Sequence, residues 1–400
     1  KLSAGQPITD ALFIDESLYE KLSQSGAPQP GDLMVTGVGT IGTSYVVQQG
    51  DLFYYKDASV LCLENRFDFT SSYLQLLMQS SMVREQIRFL SAGTTVDTLT
   101  IRNAAMLLLP VPPGAEQNRI VEKIDEIMPL VDEYGKAHER RERLNHELPI
   151  KLRKSILQAA VEGKLTEQSD DDEPASVLLA GIREKRAQLV REGKAKPVKG
   201  GESIIYRDDA GHWFERRGKS DPVCIDEEIP FDIPDSWCWA RLESISNFGS
   251  CLNIEYNDVA GGTWNLDLED IQKDSGVILR KKYKHDDEQA STKHIFITGM
   301  VLYSKLRPYL NKVVIADGDG VCSSEILPVQ FDELNAGYAQ VFLMSPYFLT
   351  FANAHVSGTK MPRLRVSDGK QCLMPIPPLT EQKRVVEKVG VILEQVSGWR

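Results

Sequence analysis

Two stretches of this chain, 265 residues apart, carry the same residues in the same order. In the first, Pro112-Pro113 is followed by Glu116-Gln117, Arg119, Val121, Glu122 and Lys123; in the second, Pro377-Pro378 is followed by Glu381-Gln382, Arg384, Val386, Glu387 and Lys388. The register reaches upstream, where Gly93-Thr94 answers Gly358-Thr359 and Leu99 answers Leu364. Solenoid repeats recur every ~20–50 residues. A far longer period points to a duplicated domain with its adjoining helix, so the chain is expected to fold as two like halves.

Each repeat opens a run with helical spacing. Ile120, Ile124, Ile127, Val131 and Tyr134 step by four and three, and the pattern resumes at Leu144, Leu148, Leu152 and Ile156. Val385, Val389, Ile392 and Val396 repeat the spacing in the second copy. Such a stripe is the seam of a helix packed on another helix, with charges of both signs on its other faces. The two helices are therefore expected to pair through these seams, rather than to lie on separate cores. Gly163 is the predicted stop, and Pro129 and Pro149 are expected to bend or break the first helix.

Four hundred residues suffice for two or three domains with real cores. No apolar run approaches the ~18 residues of a membrane span; the longest candidate, 341–351, is broken by Ser345-Pro346. No signal peptide is visible, and the chain has no starting Met. Six cysteines (Cys62, Cys224, Cys238, Cys251, Cys322 and Cys372) show no CxxC spacing, which reads as reduced, structural thiols in a cytosolic protein. A net charge of −11 argues against a generally sticky polyanion binder, so any nucleic-acid surface must be a local patch.

Residues 1–109 read as a mixed α/β domain. Gly37-Val38-Gly39-Thr40-Ile41-Gly42 spells GxGxxG, but a dinucleotide site needs a helix to open at the third glycine. Thr43-Ser44-Tyr45-Val46-Val47 is strand-like instead, so the better reading is a glycine-rich turn between strands. Residues 71–89 are predicted helical, with Ser71-Ser72 as cap, and 96–109 return to strand. After the long helix at 110–165 comes a linker region, 166–232. It holds the acidic run Asp170-Asp171-Asp172-Glu173, a helix over 175–191, a basic flexible run over 193–201, and a hairpin turning at Asp209-Ala210-Gly211. A second domain spans 233–374, and 375–400 begin the second helix. Trp237 and Trp239 are expected on one strand face, in the core. Arg280-Lys281-Lys282-Tyr283-Lys284-His285 is basic with an aromatic inside it. Gly299 answers Gly31 at an offset of 268, so an insertion shifts the register, and Lys305-Leu306-Arg307-Pro308-Tyr309 falls where the first copy has its glycine turn.

The pattern resembles a known family, the specificity subunit of type I restriction–modification enzymes. Leu109-Pro110-Val111-Pro112-Pro113 with Glu116-Gln117 and Arg119-Ile120-Val121, recurring as Met374-Pro375-Ile376-Pro377-Pro378, Glu381-Gln382 and Arg384-Val385-Val386, carry the likeness. Leu152, Ser155-Ile156-Leu157-Gln158-Ala159-Ala160 and Gly163-Lys164-Leu165 are similar to the family's central conserved region. Ile233-Pro234-Asp235-Ser236-Trp237 and Trp264-Asn265-Leu266-Asp267-Leu268-Glu269-Asp270-Ile271 are similar to the opening of its second target-recognition domain. The resemblance implies two target-recognition domains, each reading half of a bipartite DNA sequence, held apart by antiparallel helices. It implies two methyltransferase subunits docked on the helices, a restriction–translocase subunit joining them, no cofactor and a cytoplasmic setting. In these terms the expected fold is mixed α+β: two similar α/β target-recognition domains (1–109, N-terminally truncated, and 233–374) separated by long antiparallel helices paired as a coiled coil. The opening of the first domain and most of the second long helix are missing from the pattern, so the chain reads as a fragment. Geometry agrees with a spacer: residues 116–148 make 33 helical positions, about 50 Å, against about 34 Å for one DNA turn.

The DNA-contacting candidates are Lys305, Arg307, Lys360, Arg363 and Arg365 in the second domain, because Arg and Lys pair with guanine edges and phosphates. In the first they are Thr36, Thr40, Thr43, Thr94 and Thr95, whose hydroxyls and nearby amides can approach DNA. Taken singly, each also has a structural or solvent-facing reading. An autonomous methyltransferase is disfavoured, since the proline pairs sit in Val-Pro-Pro-Gly and Ile-Pro-Pro-Leu rather than behind an Asn or Asp. A nuclease is disfavoured because the acidic run is a linker charge run, and Gly218-Lys219-Ser220 lacks the earlier P-loop glycine. A purely structural coiled-coil adaptor explains the helices but not two domain copies that diverge in their polar turns.

Overall fold

The computed structural model describes residues 13–24, 26–55, 59–67, 69–91, 97–193, 197–198, 200–285 and 291–397. It is mixed, 42% helical and 19% strand, and separates into two compact units, Lys1–Glu142 and Arg143–Arg400.

In the first unit α1 (Glu16–Ser23) starts at Asp15, whose carboxylate accepts the Leu18 N–H. β1 (Leu33–Thr36), β2 (Ser44–Val46) and β3 (Val60–Leu63) form an antiparallel sheet in the order β2-β1-β3. α2 (Ser71–Gln79) and α3 (Ser81–Ser91) bury Tyr73, Leu77, Val83 and Ile87 against Leu33, Val35 and Leu99. The one helix predicted over 71–89 is thus two. Ser80 is extended (ψ 148°), and its hydroxyl accepts the Val83 N–H and donates to the Leu77 carbonyl. A serine that bonds locally competes with the helix ladder. The cap is also Thr70, not Ser71.

Among the described residues, the strand predicted over 96–109 is not formed. Val96 lies outside the described residues, Thr98 makes an isolated bridge to Val38, and Thr100 caps the short α4 (Ile101–Ala104) by accepting the Asn103 N–H. α5 (Gly114–Val161) follows, 48 residues long, and ends at neither Pro129 nor Pro149, contrary to a break there. Each proline removes one donor, while neighbouring turns keep their own bonds. Its end is as predicted: Gly163 is left-handed (φ 71°), the Gly163 N–H reaches the Ala160 carbonyl and the Lys164 N–H that of Ala159.

The second unit contains the last turns of α5 and α6 (Ala175–Arg191), which matches the predicted bounds. The predicted hairpin is β4 (Ser203–Arg207) and β5 (Trp213–Arg217), extended by β6 (Val223–Cys224). β7 (Cys238–Arg241) and α7 (Leu242–Ile245) come next. β8 (Asn253–Ile254), β9 (Trp264–Leu266), β10 (Lys282–Tyr283), β11 (Lys293–Phe296) and β14 (Gly320–Ser323) form a five-stranded sheet ordered β10-β9-β14-β11-β8, in which β14 and β9 are parallel. β12 (Val301–Ser304), β13 (Val313–Ile315) and β15 (Ile326–Val329) form an antiparallel sheet ordered β13-β12-β15. α8 (Ala336–Met344), α9 (Pro346–Ala354), the β16 (Val356–Ser357) and β17 (Arg363–Leu364) pair, α10 (Val366–Gln371), β18 (Leu373–Ile376) and α11 (Leu379–Ser397) complete the chain.

The two units share a design. The central strand is flanked by its neighbours in the same order, and α8, α9, α10 and α11 begin 265 positions after α2, α3, α4 and α5. Trp237 and Trp239 are both buried, as expected of core residues, but in different clusters. Only Trp239 lies in β7; Trp237 precedes the strand, so the two rings do not share a strand face.

Candidate nucleic-acid interface

The polar turns predicted to diverge sit at the same junction in both units. Beyond β1 the chain bridges Val38 to Thr98, and the Leu99 N–H donates to the Gly37 carbonyl at 2.8 Å. Beyond β12 it bridges Leu306 to Arg363, and the Leu364 N–H donates to the Lys305 carbonyl at 2.9 Å. Lys305 thus stands where Gly37 stands, and Arg307 where Gly39 stands. Both of the latter positions are left-handed, with φ 78° at Gly39 and 50° at Arg307.

A left-handed arginine is strained by about 1–2 kcal/mol, and a following proline disfavours helical backbone at that position further. The surroundings impose it. The Arg307 N–H donates to the Pro362 carbonyl at 2.7 Å, the Lys305 N–H to the Glu325 carbonyl at 3.0 Å, and the Asn311 side chain to the Met344 carbonyl at 3.0 Å. The result is an outward-facing Arg307 beside an exposed Tyr309.

The five basic candidates then separate. Arg363 is held by the Glu325 carboxylate at 2.8–3.1 Å, and Arg365 pairs with Asp368 at 2.7 Å. Lys305, Arg307 and Lys360 have no carboxylate at ion-pair distance among the described residues; Arg307 and Lys360 are exposed and Lys305 is half-buried. Sequence reasoning passed over Glu325, the anchor that clamps the β17 hairpin under this loop; no motif marks it.

In the first unit the GxGxxG segment is the turn joining β1 to β2, as the strand-like residues after it predicted. Gly37 is required by close approach, since a Cβ there would meet the Leu99 carbonyl at 2.8 Å. Thr36 is spent on the turn: its hydroxyl donates to the Thr40 carbonyl and accepts the Thr43 N–H at 3.1 Å. Thr40 is exposed and Thr43 half-buried. Thr94 and Thr95 lie outside the described residues.

Other basic segments are committed to the fold. Arg280 pairs with Asp270 at 2.6 Å and Glu269 at 2.7 Å. Lys281 pairs with Asp317 at 2.7 Å and lies 4.4 Å over the Trp264 ring. Lys284 is buried and donates to the Tyr256 and Val259 carbonyls. In the run 193–201, Lys194, Lys196 and Lys199 lie outside the described residues.

The seam positions are apolar faces of unequal burial. Val385 and Val389 are buried, and Ile392 and Val396 pack against the same core, which also holds Leu152, Ile156 and Leu157 of α5. Ile120 packs on the core of the first unit and Ile124 is half-buried, but Ile127 is 41% and Val131 50% exposed. Among the described residues no helix is long and apolar enough to cross a membrane, and no group of three His, Cys, Asp or Glu side chains is placed to hold a metal ion.

No protein-family model matches the chain. It is 26% identical over 301 residues to the type I restriction enzyme EcoDI specificity subunit of Escherichia coli, covering 74% of this chain and 57% of that protein. It is 27% identical over 248 residues to the EcoAI specificity subunit of the same organism, covering 59% of this chain and 38% of that protein. The chain thus spans about half the length of these relatives or less. The crystal structure of the HsdS subunit from Thermoanaerobacter tengcongensis aligns with a TM-score of 0.46 at 17% identity, over 94% of this chain and 78% of that one.

Proposed function

We propose that this chain, which belongs to the family of type I restriction enzyme specificity subunits, is a reader of double-stranded DNA without chemistry of its own. Each unit takes one half of a bipartite site: residues 1–109 and 233–374 are the two target-recognition domains, and 110–165 and 375–400 belong to the spacer. One observation carries the reading. The same junction is built twice on the same scaffold with different groups, glycines and threonines after β1 and lysine and arginine after β12. A fold copied whole and altered at one turn suits two readers of different half-sites.

The chemistry follows from the free groups. The Arg307 guanidinium is suited to the O6 and N7 of guanine in the major groove. Lys305 and Lys360 are suited to phosphates, which set register and give salt dependence. Thr40 and Thr43 would meet the other half-site, with Thr36, Arg363 and Arg365 shaping the loops. The exposed apolar face of α5, with Ile127, Val131 and Tyr134, suits helix pairing and the docking of two methyltransferase subunits in the cytoplasm, joined by a restriction–translocase subunit. At 48 residues α5 is longer than one DNA turn.

The test is selection from a random duplex library. The bound fraction should share a split, asymmetric motif with a fixed gap. Binding that random duplex competes as well as the selected one would discard the reading.

A further inference from the structure

In the second unit the two segments that carry the unpaired cations are tied together. The Arg307 N–H donates to the Pro362 carbonyl at 2.7 Å, the Leu364 N–H to the Lys305 carbonyl at 2.9 Å, and Leu306 bridges Arg363. The Arg363 guanidinium in turn donates to the Met361 carbonyl at 3.0 Å and to the Glu325 carboxylate at 2.9 Å. Burial alternates along the first segment: Leu306 and Pro308 are buried, and Arg307 and Tyr309 are exposed. Along the second, Leu364 is buried, while Lys360 and Met361 are exposed. Two apolar side chains thus stand in solvent beside one guanidinium. Tyr309 is 51% and Met361 45% exposed, and each is within two residues of the bond between Arg307 and Pro362.

Apolar residues scattered singly over a surface need no explanation. These two sit on hydrogen-bonded turns that also present the cations, and the first unit supplies a contrast. At the offset of 268 that pairs Arg307 with Gly39, Tyr309 answers Ile41, which packs on the core of its own unit. The scaffold is shared, but at this position the second copy turns an apolar group outward. Beside an arginine that reads guanine, few groups can receive it. The base edges of the major groove present hydrogen-bond donors and acceptors, and their one apolar group is the C5-methyl of thymine.

We infer that Tyr309 and Met361 are specificity-determining residues that take the C5-methyl of a thymine next to the guanine met by Arg307. The inference rests on the DNA reading and adds to it the chemistry of one further base. Neither side chain is part of the hydrogen-bonded tie, so the tie holds the loop and the pair reads the methyl.

Two random duplex libraries test it, one made with thymine and one with uracil, which lacks only the methyl. From the thymine library the chain should select a thymine beside the guanine position that Arg307→Ala relaxes. From the uracil library the preference at that neighbouring position should be lost and the rest of the motif kept. Met361→Ala and Tyr309→Ala, selecting from the thymine library, should lose the same position. Replacing that one thymine by uracil in the selected duplex should weaken binding about fourfold, the worth of one buried methyl group, and by less in either variant. Both side chains are exposed, so the thermal midpoint should stay in place. A motif with no thymine beside that guanine, equal affinity for the thymine and uracil forms, or a loss of equal size in the unaltered chain and in either variant overturns the inference while the DNA reading stands. Libraries that yield no motif overturn both.

Discussion

Gln117 and Gln382, 265 positions apart, make the same two hydrogen bonds. The Gln117 side chain accepts the Thr70 N–H at 3.0 Å and donates to the Pro112 carbonyl at 2.9 Å. The Gln382 side chain accepts the Asn335 N–H at 2.9 Å and donates to the Pro377 carbonyl at 3.0 Å. All four partners obey the same offset. So do Tyr73 and Tyr338, which donate to the Pro110 and Pro375 carbonyls. In each unit the glutamine clamps the start of the long helix to the start of the helix that covers the sheet. That explains why the Glu-Gln pair recurs after each proline pair.

Gln382→Ala leaves the buried Pro377 carbonyl and the half-buried Asn335 N–H without their partner, and the stranded buried group alone costs about 1–3 kcal/mol. Two units need not unfold together. Urea denaturation should therefore resolve a transition that Gln382→Ala lowers and Gln117→Ala leaves in place, with the converse for the first unit. A single transition shifted equally by both would show that the clamps are not local to their units.

Arg307 offers a separation of stability from binding. Glycine adopts the left-handed backbone freely, whereas alanine keeps the strain. Arg307→Gly should be more stable than Arg307→Ala by about 1 kcal/mol. Both should bind the selected duplex more weakly, by about 1–3 kcal/mol, and relax the preference at the position Arg307 reads. Equal thermal midpoints for the two variants would remove the strain assignment. Unchanged sequence preference would remove Arg307 from the reading surface.

Much of this was legible in the sequence, and what escaped it has identifiable causes. The duplication, the helix over 175–191, the hairpin at Asp209 and the three-residue register shift at Lys305 rest on local chemistry or on identity between copies. The break at Ser80 escaped because the apolar spacing continues across it, and only the serine hydroxyl decides. The run through Pro129 and Pro149 escaped because a local rule weighs one lost bond and not the whole of α5. At the candidate site, residue type could nominate five cations but could not tell which ones Glu325 and Asp368 would claim. Those partners lie 38 and 3 positions away from the arginines they hold, and nothing in the pattern singles them out.

Cysteine reactivity should follow burial. Cys224 is exposed on β6, whereas burial pushes the Cys62 thiol up to about 11, with the Asp32 and Glu64 carboxylates adding to the shift. At pH 8 only on the order of one Cys62 thiol in a thousand is then ionised, and the thiolate is the nucleophile. Iodoacetamide followed by peptide mass mapping should label Cys224 first and Cys62 slowly, with a Cys62 rate that climbs until pH approaches 11. Fast labelling of Cys62 at neutral pH would contradict its placement beside Asp32.

The hairpin of the second unit carries a titratable latch. His212 Nδ1 lies 2.6 Å from the Asp226 carboxylate, which also accepts the Trp213 N–H at 2.6 Å. The hydrogen bond and charge of Asp226, with Asp208 nearby, hold the His212 imidazolium above its ordinary value of 6.5. The Trp213 N–H first, and then His212, hold the Asp226 carboxyl below its ordinary 3.8. The signs are opposite. A raised histidine contributes its full stability below pH 6.5 and loses it as pH rises through the raised value. A depressed aspartate contributes its full stability above pH 3.8 and loses it as pH falls through the depressed value. The latch is therefore complete between about pH 4 and 6.5 and opens on either side. An NMR titration of the His212 ring should give a midpoint above 6.5, and Asp226→Asn should bring it down toward that value. Equal midpoints in the two proteins would mean that Asp226 does not hold the ring in solution.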